Sequence, residues 1–268
     1  MAVDLTIDGD GLAIVTINRP DARNALSPAV LNTTLERLTT ARHSGATALV
    51  VRGAGKVFCA GGDLGYVSAA LDSTPETLLG ELADSLNELV LALREFPGRV
   101  IAAIDGVAAG AGVGLAFAAD IRVCGRSALL VPAFLTAGTT PDGGTSYALA
   151  RTYGPVAATS ILARNHAIDT DEMTRMGLAD WVVPDGAASQ HAVSLASELP
   201  PISATALLET RRLLDRASGI TLREQLTLER ASLSRMWRTT DCLEGARAFL
   251  EKRVPQFGPA MPPTRLGK

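Results

Sequence analysis

The chain has 268 residues, 47% hydrophobic and 20% charged, with a net charge of −3. That composition suits a globular protein of one large domain, or one domain with an appendage, and it offers no basic field for nucleic acid. Three widely spaced cysteines, Cys59, Cys124 and Cys242, argue against a disulfide framework and for a reducing compartment such as the cytoplasm. The opening MAVDLTIDGDG is interrupted by aspartates and does not read as a signal peptide.

LTIDGDGLAIVTIN (5–18) reads as a β-hairpin, two alternating runs joined by DGDG. RPDARNAL (19–26) follows as a loop. Ser27-Pro28 then opens a helix reaching about Ala41, with serine as N-cap and proline in the first turn. ATALVVRG (46–53) is the next strand, and FCAGGDL (58–64) comes after it. VIAAIDG (100–106) predicts a strand and AGVGLAFAAD (111–120) a helix. Together they match the roughly 20 residues that a membrane span needs. However, Asp105 and four glycines interrupt the whole stretch 100–120, so it reads as a buried strand, a tight turn and a buried helix. DIRVCG (120–125) and ALLVPAF (128–134) predict short strands, GTSYALARTYG (144–154) and PVAATSILAR (155–164) helices, and LADWVVP (178–184) a last strand.

After Pro200-Pro201 the strand signal stops. SATALLETRRLLDRA (203–217), TLREQLTLERASLSRMW (221–237) and DCLEGARAFLEKR (241–253) carry apolar residues at helical spacing. The expected organisation is an α/β core over 1–200 and an all-helical region over 201–268, with a boundary near 197–203.

Two glycine-rich turns stand out: CAGGD (59–63) after one strand, and GVAAGAG (106–112) after the next. Each offers unencumbered backbone N–H groups where a strand gives way to a helix. Two such groups converging on one point make an oxyanion hole, worth about 10²–10³ in rate per donor. A phosphate cradle is the competing reading. Neither turn has the GxxxxGK[ST] spacing and the second only loosely follows GxGxxG, so spacing alone leaves both open.

NRPDARNALS, GKVFCAGGDL, IDGVAAGAGVGLAFAADIRV, TTPDGGTSYALAR and EGARAFLEKRVPQF resemble, in order and spacing, the enoyl-CoA hydratase/isomerase (crotonase) family. The resemblance covers residues 5–257. It implies a crotonase-like α/β fold, a spiral of repeated ββα turns followed by a C-terminal helical region that makes trimers or dimers of trimers. It also implies an acyl-CoA thioester as substrate, with coenzyme A carried on the substrate and no other cofactor or metal. Its oxyanion hole maps to the amides of Gly62, after Ala60-Gly61, and of Ala111, after Gly110. CoA contacts map to Arg23, Ala25, Ala60, Gly61, Gly62, Asp63 and Leu64, with Phe249 and Lys252 reaching a neighbouring subunit's CoA. RNA binding, known for an occasional relative, does not suit the acidic balance.

The hydratases of the family hold a water between two glutamates. The matching positions here are Gly114 and Phe134, and no glutamate lies between Glu95 and Glu172. The resemblance therefore points away from hydration and towards the isomerases, whose catalytic aspartate matches Asp142. A carboxylate beside an oxyanion hole can take a proton from one carbon and return it to another. Phe134 makes the pocket more apolar, a setting that raises an aspartate's pKa. Pro-Asp-Gly-Gly is also a good turn on its own account, so catalyst and turn residue stand as two readings of Asp142. A hydratase with atypical residues and a non-catalytic acyl-CoA-binding relative are the alternative functions. Asp63, Asp105 and Asp120 read as structural, loop or cap residues, and Tyr147, His166 and Cys59 have no partner that spacing identifies.

Overall fold

The computed structural model describes residues 1–71 and 74–258. The chain divides into two compact units, Met1–Glu198 and a second from Leu199 onward.

In the first unit β1 (Val3–Ile7) and β2 (Leu12–Ile17) form the hairpin, antiparallel, with Val3 opposite Ile17. Helix α1 (Pro28–His43) starts where Ser27 accepts from the Val30 amide at 3.4 Å, an N-cap followed by proline. Next come β3 (Ala48–Gly53), β4 (Val57–Cys59), α2 (Leu64–Leu71) and α3 (Pro75–Arg94). A second turn gives β5 (Arg99–Ile104), β6 (Val107–Ala109) and α4 (Ala111–Ala118), and a third gives β7 (Ile121–Gly125), β8 (Leu129–Val131) and α5 (Thr145–Arg164). The unit closes with β9 (Ile168–Asp169), α6 (Thr170–Met176), β10 (Trp181–Val183) and α7 (Ala188–Glu198).

Each turn lays one strand in a large sheet and the next in a small one before a helix returns the chain. The large sheet runs β1-β2-β3-β5-β7-β10 and is parallel from β2 onward; the small sheet runs β4-β6-β8-β9. This is the expected α/β spiral of ββα turns. The central strands explain themselves: Leu49, Val50, Ile101 and Ala102 are fully buried, as befits parallel strands covered on both faces.

The structure adds elements to those expected. Helix α3 has proline in its first turn and buried Leu86, Leu89 and Leu93, a spacing of three and four that the sequence carries openly. Helices α2, α6 and α7 are also additional. The two helices expected over 144–164 are both present within α5, separated by a kink at Gly154 (φ 78°, ψ 162°) just before Pro155.

In the second unit α8 (Ala204–Ala217), α9 (Leu222–Met236) and α10 (Thr240–Glu251) are capped by Ser203, Thr221 and Thr239. Thr221 and Glu224 form a reciprocal capping box. Burial pushes the Glu209 carboxyl up, but hydrogen bonds from Arg235, Arg212 and Ser232 outweigh it and hold the group below its usual range. Leu222, Leu226, Leu233, Trp237, Phe249 and Leu250 are exposed. Among the described residues, no helix is long and apolar enough to cross a membrane.

Candidate active site

The two glycine-rich turns meet. After β4 the chain passes through Ala60-Gly61-Gly62, with Gly61 at φ +90°. A Cβ on Gly61 would stand 2.8 Å from the Ala109 carbonyl oxygen and 3.4 Å from the Ala111 nitrogen, so only glycine lets the turns come this close. Leu26 brackets the first turn, donating to the Gly61 carbonyl at 2.8 Å and accepting from the Asp63 amide at 2.9 Å. In a parallel bridge of this kind the N–H of the middle residue, Gly62, faces away from the partner strand. It has no acceptor among the described residues.

The second turn ends β6 at Ala109. Gly110 (φ 50°, ψ −122°) follows, and α4 begins at Ala111. Gly110 donates to the Val131 carbonyl at 3.0 Å, and its own carbonyl accepts from Val113 at 2.9 Å. The Ala111 N–H, at the first helical position, is one of the orphan donors of a helix start and likewise has no acceptor among the described residues. Ala111 itself is buried.

Asp142 lies in the third loop, before Gly143 (φ +55°) and Gly144 (φ +80°), and its carbonyl accepts from the Thr145 amide at 3.0 Å as α5 begins. The residue is exposed in the single chain, yet protein packs around one side of its carboxyl. That partial burial raises the group above the usual carboxylate range, with its own amide opposing weakly. Cys59 is fully buried and its thiol is pushed up to about 12 by that burial; its sulfur accepts from the Gly61 amide at 3.4 Å. The Asp142 charge contributes to the same rise, so the carboxylate is within electrostatic reach of the first turn.

One face of α3 follows the glycines. Leu82, Leu86 and Val90, each four residues on, stand 3.9 Å from a Cβ on Gly62, 3.4 Å from one on Gly143 and 3.8 Å from one on Gly144. The Phe134 ring is 4.0 Å from a Cβ on Gly110, and the residue is buried. The structure thus brings together Gly61, Gly62, Gly110, Ala111, Phe134 and Asp142, and lines them with apolar side chains.

The RPDARNAL loop is stitched to the first turn by residues the sequence reading passed over. Asn24 is buried at φ 56°. Its carbonyl oxygen accepts from the Arg19 amide at 2.9 Å and its amide donates to the carbonyls of Ala54 and Val57 at 2.9 and 2.6 Å. The Arg23 carbonyl accepts from the Ala60 amide at 3.0 Å, while the Arg23 side chain is exposed. Arg19 donates to Ala25 O and to Asp63, both at 2.8 Å. Asp63 also accepts from the Gly65 and Tyr66 amides, and the Arg19 hydrogen bond, foremost, holds its carboxyl below the usual range. Its side chain is thus committed to capping α2. Ala25 is buried and Leu64 is exposed.

Phe249 and Lys252 belong to the second unit, Phe249 exposed on α10 and Lys252 at its C-terminal end with φ 55°. Asp105 accepts from the Gly186 amide and Asp120 from the Val100 amide, both at 2.8 Å. His166 pairs with Glu172 at 2.9 Å, and Arg151 lies 5.1 Å from the Tyr147 ring centroid. Both partnerships were invisible to spacing. Among the described residues, no three His, Cys, Asp or Glu side chains gather as a metal site.

The enoyl-CoA hydratase/isomerase family model matches residues 8–260. A 1,2-epoxyphenylacetyl-CoA isomerase of Escherichia coli (strain K12) is 34% identical over 250 residues, 92% of this chain and 95% of that protein. A 2,3-dehydroadipyl-CoA hydratase of the same organism is 31% identical over 245 residues, 91% of this chain and 94% of that protein. The crystal structure of an enoyl-CoA hydratase from Polaromonas sp. JS666 superposes with a TM-score of 0.88 at 34% identity, covering 96% of this chain and all of the other. Its relatives thus include both hydratases and isomerases, and the chain belongs to the enoyl-CoA hydratase/isomerase family.

Proposed function

We propose that this enzyme shifts a double bond along an enoyl-CoA thioester by proton transfer through an enolate. The thioester carbonyl oxygen accepts from the Gly62 and Ala111 amides. The Asp142 carboxylate removes a proton from the carbon next to the carbonyl of a 3-enoyl thioester. The electrons of that C–H bond pass into a dienolate whose oxygen charge the two amides stabilise. Protonated Asp142 then returns the proton to the far end of the dienolate, giving the 2-enoyl isomer and regenerating the carboxylate. The proton balance closes on one side chain, so the reaction calls for no metal or cofactor beyond the coenzyme A of the substrate. Arg23, Ala25, Ala60, Asp63 and Leu64 border the CoA path, Asp63 through its backbone. Phe249 and Lys252 complete the CoA site of a neighbouring subunit in a trimer or a dimer of trimers, in the cytoplasm.

The observation that carries the isomerase reading is the closed space at Gly114. A Cβ there would stand 2.5 Å from the Gly143 carbonyl oxygen and 2.9 Å from its Cα, so no carboxylate projects from this position in this backbone. Phe134 supplies none either. With the Asp63 carboxylate bound to Arg19, Asp142, adjacent to Gly143, is the acid assigned to the proton transfer.

The test is a panel of 2-enoyl, 3-enoyl and ring-bearing acyl-CoAs, with hydration and isomerisation followed separately. Isomerisation of a 3-enoyl or related thioester is expected to dominate, with hydration of crotonyl-CoA very slow or undetectable. Efficient hydration by the wild-type enzyme would overturn the reading.

A further inference from the structure

Helix α4 is wedged between the end of β4 and the 142–144 loop. On one side a Cβ on Gly112 would stand 2.5 Å from the Cys59 carbonyl oxygen and 3.0 Å from the Cys59 Cβ. On the other, a Cβ on Gly114 would run into the Gly143 peptide, with its oxygen at 2.5 Å and its carbonyl carbon and Cα at 2.9 Å. These are backbone atoms, which do not rotate away as the end of a flexible side chain does. The loop is held from behind as well: a Cβ on Gly143 would stand 3.4 Å from both the Gly114 Cα and the Leu86 Cδ2, and 3.7 Å from the Ala111 carbonyl oxygen. The 142–144 loop is therefore clamped between the first turn of α4 and the leucine face of α3. The same short stretch of α4 carries the Ala111 amide.

We infer that Gly114 is a positioning residue: by having no side chain it lets the Gly143 peptide close onto α4, and so sets the Asp142 carboxyl relative to the Ala111 amide. This rests on the reading of Asp142 as the proton-transfer group and extends it. Carboxylate and amide are fixed to one turn of one helix, and the partial burial that raises the Asp142 carboxyl follows from the same closure. In this chain the absent side chain at 114 does more than remove an acid. It makes the room in which the replacement acid is held.

A methyl group at 114 has to push the 142–144 loop outward by something on the order of an ångström, and misplacement on that scale costs about 10²-fold in rate. For Gly114→Ala, kcat for the best enoyl-CoA isomerisation substrate is expected to fall about 10–10²-fold. KM should stay near the wild-type value, because the CoA path lies elsewhere. The acidic limb of the kcat–pH profile should move to lower pH, towards ordinary aspartate, as the loosened carboxyl becomes better solvated.

A purely structural role would lower the thermal midpoint or the yield and leave kcat per folded site and the pH limb unchanged; that result would overturn the inference. Asp142→Asn and the double variant separate the two claims. With positioning, Gly114→Ala on the Asp142→Asn background costs little further rate. If the two losses multiply in full, Gly114 acts on something other than Asp142 and the inference fails while the catalytic reading stands. If Asp142→Asn alone is unimpaired, the catalytic reading itself has failed. Should Gly114→Ala not fold, Gly143→Ala disturbs the same loop from within, because its Cβ meets neighbours only at ordinary distances but its backbone, at φ +55°, is strained for a side chain; the same direction of kcat loss and pH shift is expected of it.

Discussion

The carboxylate of Asp63 accepts from Arg19 at 2.8 Å and from the amides at the start of α2, so the acid that ends the CAGGD turn serves to hold its own loop. Removing it as Asp63→Ala is expected to cost about 1–2 kcal/mol, the size of a lost helix cap with a partly buried ion pair, read as a fall in denaturant midpoint at unchanged slope. The pH sign follows from the direction of its shift. Because the folded-state value is depressed, the stabilisation is fully present above the unfolded value of about 3.9. It is lost as the pH falls through the lower folded value. The difference in stability between wild type and Asp63→Ala should therefore shrink on acidification, and a difference that grew would contradict the assignment. At this scale the sequence shows residue types but few partners. Gly62, Ala111 and Asp142 were candidates through the family resemblance; the glycine turns alone showed only where free N–H groups lie. Asn24 was not legible, because its bonds to Ala54 and Val57 join residues about thirty apart, and His166–Glu172 depends on how α5 ends beside α6.

Among the elements, α3 sets the apolar wall. Leu86 is buried and its Cδ2 faces the Gly143 position. Leu86→Ala should destabilise by about 2–5 kcal/mol, as buried leucine truncations do, and should also lower kcat by loosening the 142–144 loop. Thermal unfolding and steady-state kinetics on the one variant check both, and a variant fully stable and fully active would show that α3 does not support the loop. The leucines of α3 follow a plain helical period. Strand β8 falls in the apolar run ALLVPAF, expected as a strand, but β4 and β6, three residues each, are too short for periodicity to register. They become strands only because the small sheet pairs them. Gly154 breaks α5 at the junction between the two expected helices, where glycine followed by proline marked the break in the sequence.

At the scale of the whole molecule, the ββα spiral rests on buried parallel strands whose apolar runs are visible in the sequence. The division at Glu198–Leu199 falls where strand signals give way to helical ones. The second unit leaves Leu222, Leu226, Leu233, Trp237 and Phe249 exposed. Other copies of the chain are the expected partner, in a trimer or a multiple of it. Light scattering at micromolar concentration should report such an assembly, and a stable monomer would rule it out together with the cross-subunit roles of Phe249 and Lys252. The expectation of a trimer comes from family resemblance, because a helical stripe reads the same whether it packs within a chain or between chains.

The central claim is that Asp142 moves the proton while the Gly62 and Ala111 amides hold the enolate, and the most direct measurement is turnover of the best isomerisation substrate by Asp142→Asn. Asparagine keeps the side chain's size and local hydrogen bonding while removing the base. General acid–base groups contribute about 10²–10⁴ in rate, so kcat should fall by that factor with acyl-CoA binding retained. In the wild type, the raised carboxyl should place the acidic limb of the pH–rate profile above ordinary aspartate. An Asp142→Asn enzyme that turns over at the wild-type rate would contradict the account.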